Sequence, residues 1–393
     1  MKYKASLFFI FLFFSVLVFL IVWYITISIH EKYIADCQTN SYISAFSEAL
    51  SSCQKACEIN DGNSCFNLGY LFSKGEGIKQ DYGKANYLFE KACILNNSEA
   101  CNKLGYSYSR GYGVKQDYDK ASSFYEKACN LDLGQGCVNL GFLYQKGDGV
   151  QQDYIKASNY YKKACNLNNS NGCDSLGTLY FNGYGVEQDY DMANDYYKRA
   201  CSLDNSKGCN NLGVLYYHGY GVKQDYKKAA DYFETACTLD DGRGCFNYAK
   251  VLNNDYNLAM TYYKLACSLN NGDGCNSVGY LYYNGHGVEQ DYNKANDYFE
   301  KACILNVSEG CANVGRLYFF GYGVAQDYKK ARDYFEKACG MGQVECCYNL
   351  GILYYNGLGV RQNKSLAKEY FGKVCDLGEQ KGCDAYKMLN VKD

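Results

Sequence analysis

The stretch "CNKLGYSYSRGYGVKQDY", residues 101–118, decides how this chain is to be read. Its second half, "GYGVKQDY", returns letter for letter at 219–226, with near-copies starting at 75, 147, 183, 285 and 321 and a worn "GLGVRQNK" at 357. A glycine-rich run ahead of Gln-Asp invites three readings: a phosphate cradle, a metal loop, or a turn. A phosphate cradle needs a preceding strand and a third glycine in a Gly-x-Gly-x-x-Gly run. Here a helical pattern precedes, and Lys115 and Gln116 follow the second glycine. A calcium loop needs more acidic ligands than the run holds. What remains is a helix stop, a link and a helix start.

The flanks support that reading. From Cys101 the copies keep Cys, Leu or Val, Gly, Leu and Tyr at offsets zero, three, four, six and seven, which fall mostly on one side of a 3.6-residue helix. We call this helix A; its small Gly105, recurring in most copies, marks a close approach by another helix. Gly-x-Gly then ends it, because glycine accepts the left-handed backbone that a helix C-terminus requires. Asp117 is suited to cap helix B, "YDKASSFYEKACNL", whose packing stripe is Ala121, Phe124, Tyr125 and Ala128. Asn-Asn-Ser and its variants stop B before the next A.

Cysteines set the period. They fall at 57, 93, 129, 165, 201 and 237, then 267, 303, 339 and 375, every interval being 36 residues except one of 30. A second series follows each by eight. A fixed period in the thirties means an array of helix pairs, each too thin to bury its own apolar face. In one unbroken helix, residues eight apart lie about 12 Å from each other. A disulfide requires Cα atoms within about 7 Å. The chain must therefore turn between them, and each bridge joins the end of a B helix to the start of the next A. The bridges so placed are Cys57–Cys65, Cys93–Cys101, Cys129–Cys137, Cys165–Cys173, Cys201–Cys209, Cys237–Cys245, Cys267–Cys275, Cys303–Cys311, Cys339–Cys347 and Cys375–Cys383. Closing each loop restricts the unfolded chain by on the order of 2.5 kcal/mol. Cys37–Cys53 is the candidate eleventh bridge, and Cys346 is left as a buried thiol. Zinc favours Cys-x2–4-Cys spacing with histidine help. With gaps of eight and only three histidines, no metal and no cofactor is expected.

The chain begins "MKYK" and continues with an uncharged apolar run over residues 5–29, long enough to span a bilayer. It is longer than the apolar part of a cleavable signal and lacks a small-residue cleavage site. The expected partition is a cytoplasmic stub and signal-anchor helix over 1–30, a linker and capping helix over 31–56, and the repeat array over 57–393 with a shortened unit at 237–266. Lys2 and Lys4 ahead of the span, together with the cysteines, place the array outside the cytoplasm, in the periplasm or extracellular space, and secreted if the N-terminal segment is cleaved. "IADC" at 34–37 has Asp36 where a lipoprotein box wants a small residue, which argues against lipidation of Cys37. Forty basic and forty-two acidic residues leave no electrostatic footprint for nucleic acid. The absence of proline favours continuous packing of regular elements.

The units "LGYLFSKGEGIKQDYGKANYLFEKAC" at 68–93 and "LGVLYYHGYGVKQDYKKAADYFETAC" at 212–237 resemble Sel1-like repeats, cousins of the tetratricopeptide repeat. Paired cysteines eight apart narrow the resemblance to the Helicobacter cysteine-rich protein group, over residues 42–393. The resemblance implies an all-α, right-handed α/α superhelical solenoid of disulfide-bridged helix pairs. It also implies an adaptor role, and some members of the group are described as penicillin-binding or as β-lactamases. The unit between Cys245 and Cys267 departs from the pattern: "YAKVLNNDYNLAM" has no Gly-x-Gly, so a shortened helix A or loop is expected.

Two functions from different classes follow. A serine β-lactamase needs Ser-x-x-Lys, Ser-Asp-Asn and Lys-Thr-Gly. Only the first occurs, at Ser52–Lys55 and Ser365–Lys368, inside expected B helices. His218 and His286 lie at the turns, as exposed loop residues rather than catalytic bases. A binding groove is the other reading. In tetratricopeptide-like arrays helix A lines the concave face, and offsets one, two, five, eight and nine point away from its packing. Offset two is asparagine at Asn67, Asn139, Asn211, Asn247, Asn313 and Asn349, whose amides match the backbone of an extended peptide. Offset five includes Tyr70, Tyr106 and Arg316; exposed tyrosines are frequent binding anchors. The expected ligand is a peptide or protein, or a peptidoglycan-like fragment or β-lactam.

Overall fold

The computed structural model describes residues 28–29, 31–37, 46–75, 78–252 and 255–390. The expected membrane span, 5–29, lies outside these residues except for its last two positions. Among the described residues no helix is long and apolar enough to cross a membrane, and every regular element is α-helical.

The chain forms two compact units, Met1–Tyr196 and Tyr197–Asp393. In the first, helix Phe46–Glu58 precedes the A helices Gly62–Lys74, Ser98–Arg110, Gly134–Lys146 and Ser170–Asn182, which alternate with the B helices Tyr82–Ile94, Tyr118–Asn130 and Tyr154–Asn166. In the second, the A helices are Ser206–His218, Gly242–Val251, Gly272–Asn284, Ser308–Phe320 and Val344–Asn356. Their B partners are Tyr226–Thr238, Tyr256–Ser268, Tyr292–Ile304, Tyr328–Gly340 and Lys364–Asp376, followed by Gln380–Asn390. Within each unit a helix packs on its neighbours in the chain, and consecutive A helices touch. This sequential stacking is that of an all-helical solenoid.

Local chemistry draws the boundaries. Gly111 adopts φ 75° and its N–H bonds the Ser107 carbonyl, closing helix A. Gln116 Nε2 then donates to the Ser109 carbonyl at 2.8 Å, so the glutamine of the repeated motif ties the link back onto the helix it has just left. Asp117 accepts from Lys120 N at 2.9 Å and starts helix B. Between B and the next A, Asn96 takes a left-handed φ of 62° and Asn97 caps the following helix through Ala100 N. Asparagine tolerates both tasks because its short amide substitutes for backbone hydrogen bonds. Where the motif is missing, helix Gly242–Val251 has 10 residues instead of 13 and ends on Leu252 with right-handed backbone.

The core is thin and repeats itself. Ala121 and Tyr125 of helix B bury against Leu140 and Leu143 of the next A, while Ala128 buries in the cluster that holds Ala100 and Leu104 of its own A. A Cβ at Gly105 would stand 2.7 Å from the Tyr125 ring, and at Gly69 2.8 Å from Phe89. Glycine here is the price of seating an aromatic ring on the backbone of its own partner helix. All ten staples have Cα–Cα distances between 4.5 and 4.9 Å across a sequence separation of eight. Cys37 is bonded to Cys53, which removes it from lipidation and pins helix 31–37 to helix Phe46–Glu58.

Two glycine substitutions test this packing. Gly105→Ala is expected to destabilise by about 1–3 kcal/mol through overpacking. Gly340→Ala, at a position with nothing within 4 Å, should instead stabilise by about 0.4–1 kcal/mol. Urea denaturation of both variants reads the difference, and equal effects would remove the steric account.

Candidate functional site

The first three A helices carry aromatic residues at offset five and cations at offset nine, one helical turn apart, whereas the fourth has Thr178 and Asn182 there. Lys74 Nζ lies 5.7 Å from the Tyr70 ring centre, with Lys103 of the next repeat at 5.8 Å from the same ring. Arg110 leans on Tyr106 at 5.8 Å and Lys146 on Phe142 at 5.8 Å. Tyr106 and Phe142 remain 44% and 48% exposed. None of the four cations forms an ion pair among the described residues. Each contact is worth about 0.5–1 kcal/mol, enough to hold a cation over its ring while leaving its charge available.

Two clefts open on this face. One, of about 300 Å³, is lined by residues that include Lys74, Lys103, Tyr82, Tyr106 and Tyr112. The other, of about 340 Å³, is lined by residues that include Tyr106, Arg110, Tyr118, Asn139, Phe142 and Asp148. Tyr106 is shared. On the wall of the second cleft, the buried Tyr125 hydroxyl meets Ser109 Oγ at 3.3 Å. Burial pushes the Tyr125 phenol up and outweighs the Ser109 hydrogen bond, so it stays a neutral hydroxyl.

The asparagines have a role that offset counting missed. Asn139 Nδ2 donates to Asn102 Oδ1 at 2.8 Å, Asn247 to Asn210 at 2.8 Å and Asn313 to Asn276 at 3.1 Å. These bonds run between A helices of successive repeats, so one donor of each amide is spent on the fold. The sequence carries a signal for them. Where offset one is apolar, as at Phe66, Val138 and Phe246, offset two of the next repeat is Lys103, Ser175 and Ser277. Asn349, which follows Ala312, breaks this rule. Asn67 Nδ2 sits 3.9 Å from Cys37 Sγ, and Asn211 is half-buried on its helix. Arg316 reaches Glu345 at 2.8 Å and Asn313 Oδ1 at 3.2 Å, a link between repeats rather than a free cation.

The Ser-x-x-Lys strings do not assemble a nucleophile and its base. Lys55 Nζ lies over Tyr33 at 4.9 Å and Lys368 Nζ over Tyr386 at 5.5 Å. Neither lysine bonds its serine among the described residues, and Ser365 is exposed on its helix. His218 and His286 are exposed and pack against tyrosine rings. Among the described residues no group of side chains is arranged to hold a metal ion. Cys346 is buried and unbonded; burial pushes its thiol up to about 12, with Glu345 adding and Arg316 opposing.

Helix pairs of near-constant length, stacked in chain order and linked by polar bonds between A helices, define a tetratricopeptide-like repeat protein. The chain belongs to the Sel1 repeat family, which matches it at residues 62–97, 98–133, 134–169, 170–205, 206–241, 245–271, 272–307, 308–343 and 344–379. A protective antigen of uropathogenic Escherichia coli strains, displaying an SLR fold, is 25% identical, with 88% of this chain and 83% of that chain covered and a TM-score of 0.56. Helicobacter pylori cysteine rich protein B is 39% identical over 32% of this chain and 95% of its own, with a TM-score of 0.29. A Sel1 repeat protein from Oxalobacter formigenes is 22% identical over 69% of this chain and 96% of its own, with a TM-score of 0.47. No curated protein sequence matches the chain.

The state of Cys346 gives a direct check. With its thiol raised to about 12, iodoacetamide at pH 8 should modify the folded protein slower than a free thiol by on the order of 10³-fold. Unfolding without reduction should expose one reactive thiol by mass spectrometry. Because the folded value is the higher one, this thiol's contribution to stability is complete below about pH 8.5 and declines above it. Rapid labelling of the native protein would contradict the burial.

Proposed function

We propose that this protein is an exported adaptor that binds an extended segment of a partner protein across the A helices of its first unit. The observation that carries this reading is the row Tyr70–Lys74–Lys103, Tyr106–Arg110 and Phe142–Lys146, with its rings partly exposed and its cations unpaired. Large rings supply contact area at small entropic cost, and cations held over them favour a segment that carries carboxylates. Membership of the Sel1 repeat family supports a protein partner, since proteins of this family generally bind proteins. Eleven disulfides support an oxidising compartment. Residues 5–29 are the proposed anchor. β-Lactam hydrolysis, the alternative implied by the resemblance, finds no support in either Ser-x-x-Lys string, since Lys55 and Lys368 lie over Tyr33 and Tyr386 rather than on their serines.

Photo-crosslinking on intact cells from position 106 or 142 tests the groove, with position 87, exposed on a B helix, as the control. A partner should be captured from the first two positions only. Lys74→Glu combined with Lys146→Glu should weaken that capture by about tenfold, more at low salt than at high salt. Equal capture from all three positions, or indifference to the charge reversals, would count against the groove. Should the purified protein turn over a β-lactam, Ser52→Ala and Ser365→Ala are expected to leave the rate unchanged.

A further inference from the structure

The residue between the two glycines of each link performs a task that the repeats do not share equally. Tyr112 stacks on Tyr82, the first residue of the preceding helix B, with ring centres 5.4 Å apart at 19°. Tyr112 also meets Tyr106 at 5.8 Å, so three rings from two repeats form one group. Tyr184 meets Tyr154 at 5.3 Å. In the second unit Tyr322 stacks on Tyr292 and on Phe320, both at 5.4 Å, and His286 lies 5.1 Å from Tyr256. At Tyr112 and Tyr322 the arrangement is a sandwich of a helix-B tyrosine, a link ring and an A-helix ring; at Tyr184 and His286 the link ring meets the helix-B tyrosine.

One sandwich lacks its filling. Opposite Tyr118 and Phe142 the link residue is Asp148. The link itself has not moved away. Gly149 has φ 66°, and a Cβ on it would fall 2.1 Å from Tyr118 Cβ, much as Gly113 crowds Tyr82 at 2.6 Å and Gly185 crowds Tyr154 at 2.4 Å. The backbone is seated alike and only the side chain differs. Tyr118 accordingly has no ring partner among the described residues, whereas Tyr82, Tyr154 and Tyr190 each have one. The cleft of about 340 Å³ opens at this place.

Its rim is polar in a specific way. The Asp148 carboxylate accepts no hydrogen bond and joins no ion pair among the described residues, and Arg110 leans on Tyr106 without an acidic partner. An unpaired acceptor and an unpaired cation thus flank a slot with aromatic walls.

We propose that this cleft receives a tyrosine side chain from the bound segment, preceded by an acidic residue. The incoming ring takes the place against Tyr118 and Phe142 that Tyr112 takes against Tyr82 and Tyr106. Its hydroxyl donates to Asp148, and the neighbouring carboxylate faces Arg110. This deepens the groove reading and rests on it, since the slot is one subsite of that face. A ring in the slot contributes offset or edge-on aromatic contact beyond its buried area.

Asp148→Tyr is the decisive variant, because it writes the neighbouring repeats' own "GYGV" into this link and fills the slot from within. The probe is the capped peptide acetyl-Gly-Glu-Tyr-Gly-amide, titrated against the full chain and followed by broadening of the peptide's NMR lines. The Tyr peptide should bind about tenfold more tightly than its Leu counterpart, and Asp148→Tyr should lose that difference. Retained thermal stability shows that the variant is folded; Phe142→Ala, which empties one wall, provides a second loss without filling the slot. Equal binding of the Tyr and Leu peptides, undiminished binding by Asp148→Tyr, or tighter binding of a Lys peptide would each overturn the proposal. Partner capture that survives Asp148→Tyr but not the lysine reversals would remove the slot and keep the groove. Peptide binding without any captured partner would do the reverse.

Discussion

The full-length repeats depend on one close approach: an aromatic ring of helix B lying against a glycine of helix A, a position held by Ala249 in the short unit. With Gly105 under Tyr125 and Gly141 under Tyr161, the two helices come close enough to share a layer of leucine and alanine. A pair of thirteen-residue helices cannot bury that layer alone, because isolated helices of this length are marginal in water. The next repeat supplies the missing side of the layer, and the disulfide at the B-to-A link sets the angle at which it arrives. Small glycines, large rings and paired cysteines therefore recur together in the full-length repeats, and the short unit keeps its rings and cysteines with Ala249 in the glycine's place.

Upon this frame the polar groups divide into two kinds. Those that repeat are spent on the fold: Gln116 on its own helix, Asp117 and Asn97 on caps, Asn139 on Asn102. Lys91 reaches the Cys57 carbonyl at 2.7 Å, satisfying a helix end in the preceding repeat. Among those that vary, some are spent as well, as Arg316 is on Glu345, and others are free of such duties. The cations at 74, 103, 110 and 146, and the carboxylate at 148, sit where other repeats carry asparagine, serine, tyrosine or histidine. In an array built by copying, these departures from the copy are the positions on which the proposed groove rests.

The repeat could be read from the sequence because its signals are local. A glycine at a left-handed φ, an aspartate at an N-cap and two cysteines eight apart each act within one turn or link, so periodicity alone located the A and B helices. The shortening of helix Gly242–Val251 was legible for the same reason. The groove was legible only in part. Offsets placed Tyr106 on an exposed side of helix A and Tyr70 at a partly buried one, but they also chose the asparagines as ligand-facing amides. An asparagine at an exposed-looking offset is occupied when the adjacent A helix offers a second asparagine 37 residues earlier. One helix's periodicity does not contain its neighbour.

The sequence by itself therefore determined the secondary elements, the pairing of most cysteines and the family, because those follow from spacing along one chain. Tertiary structure alone decided which polar side chains are spent between repeats and which remain available. It also showed that the second glycine of "GYGVKQDY" is needed for contact with the preceding repeat: a Cβ on Gly113 would meet Tyr82 at 2.6 Å. The physical reason is that an unpaired ring or charge is a property of two repeats in register, and no single stretch of sequence records it.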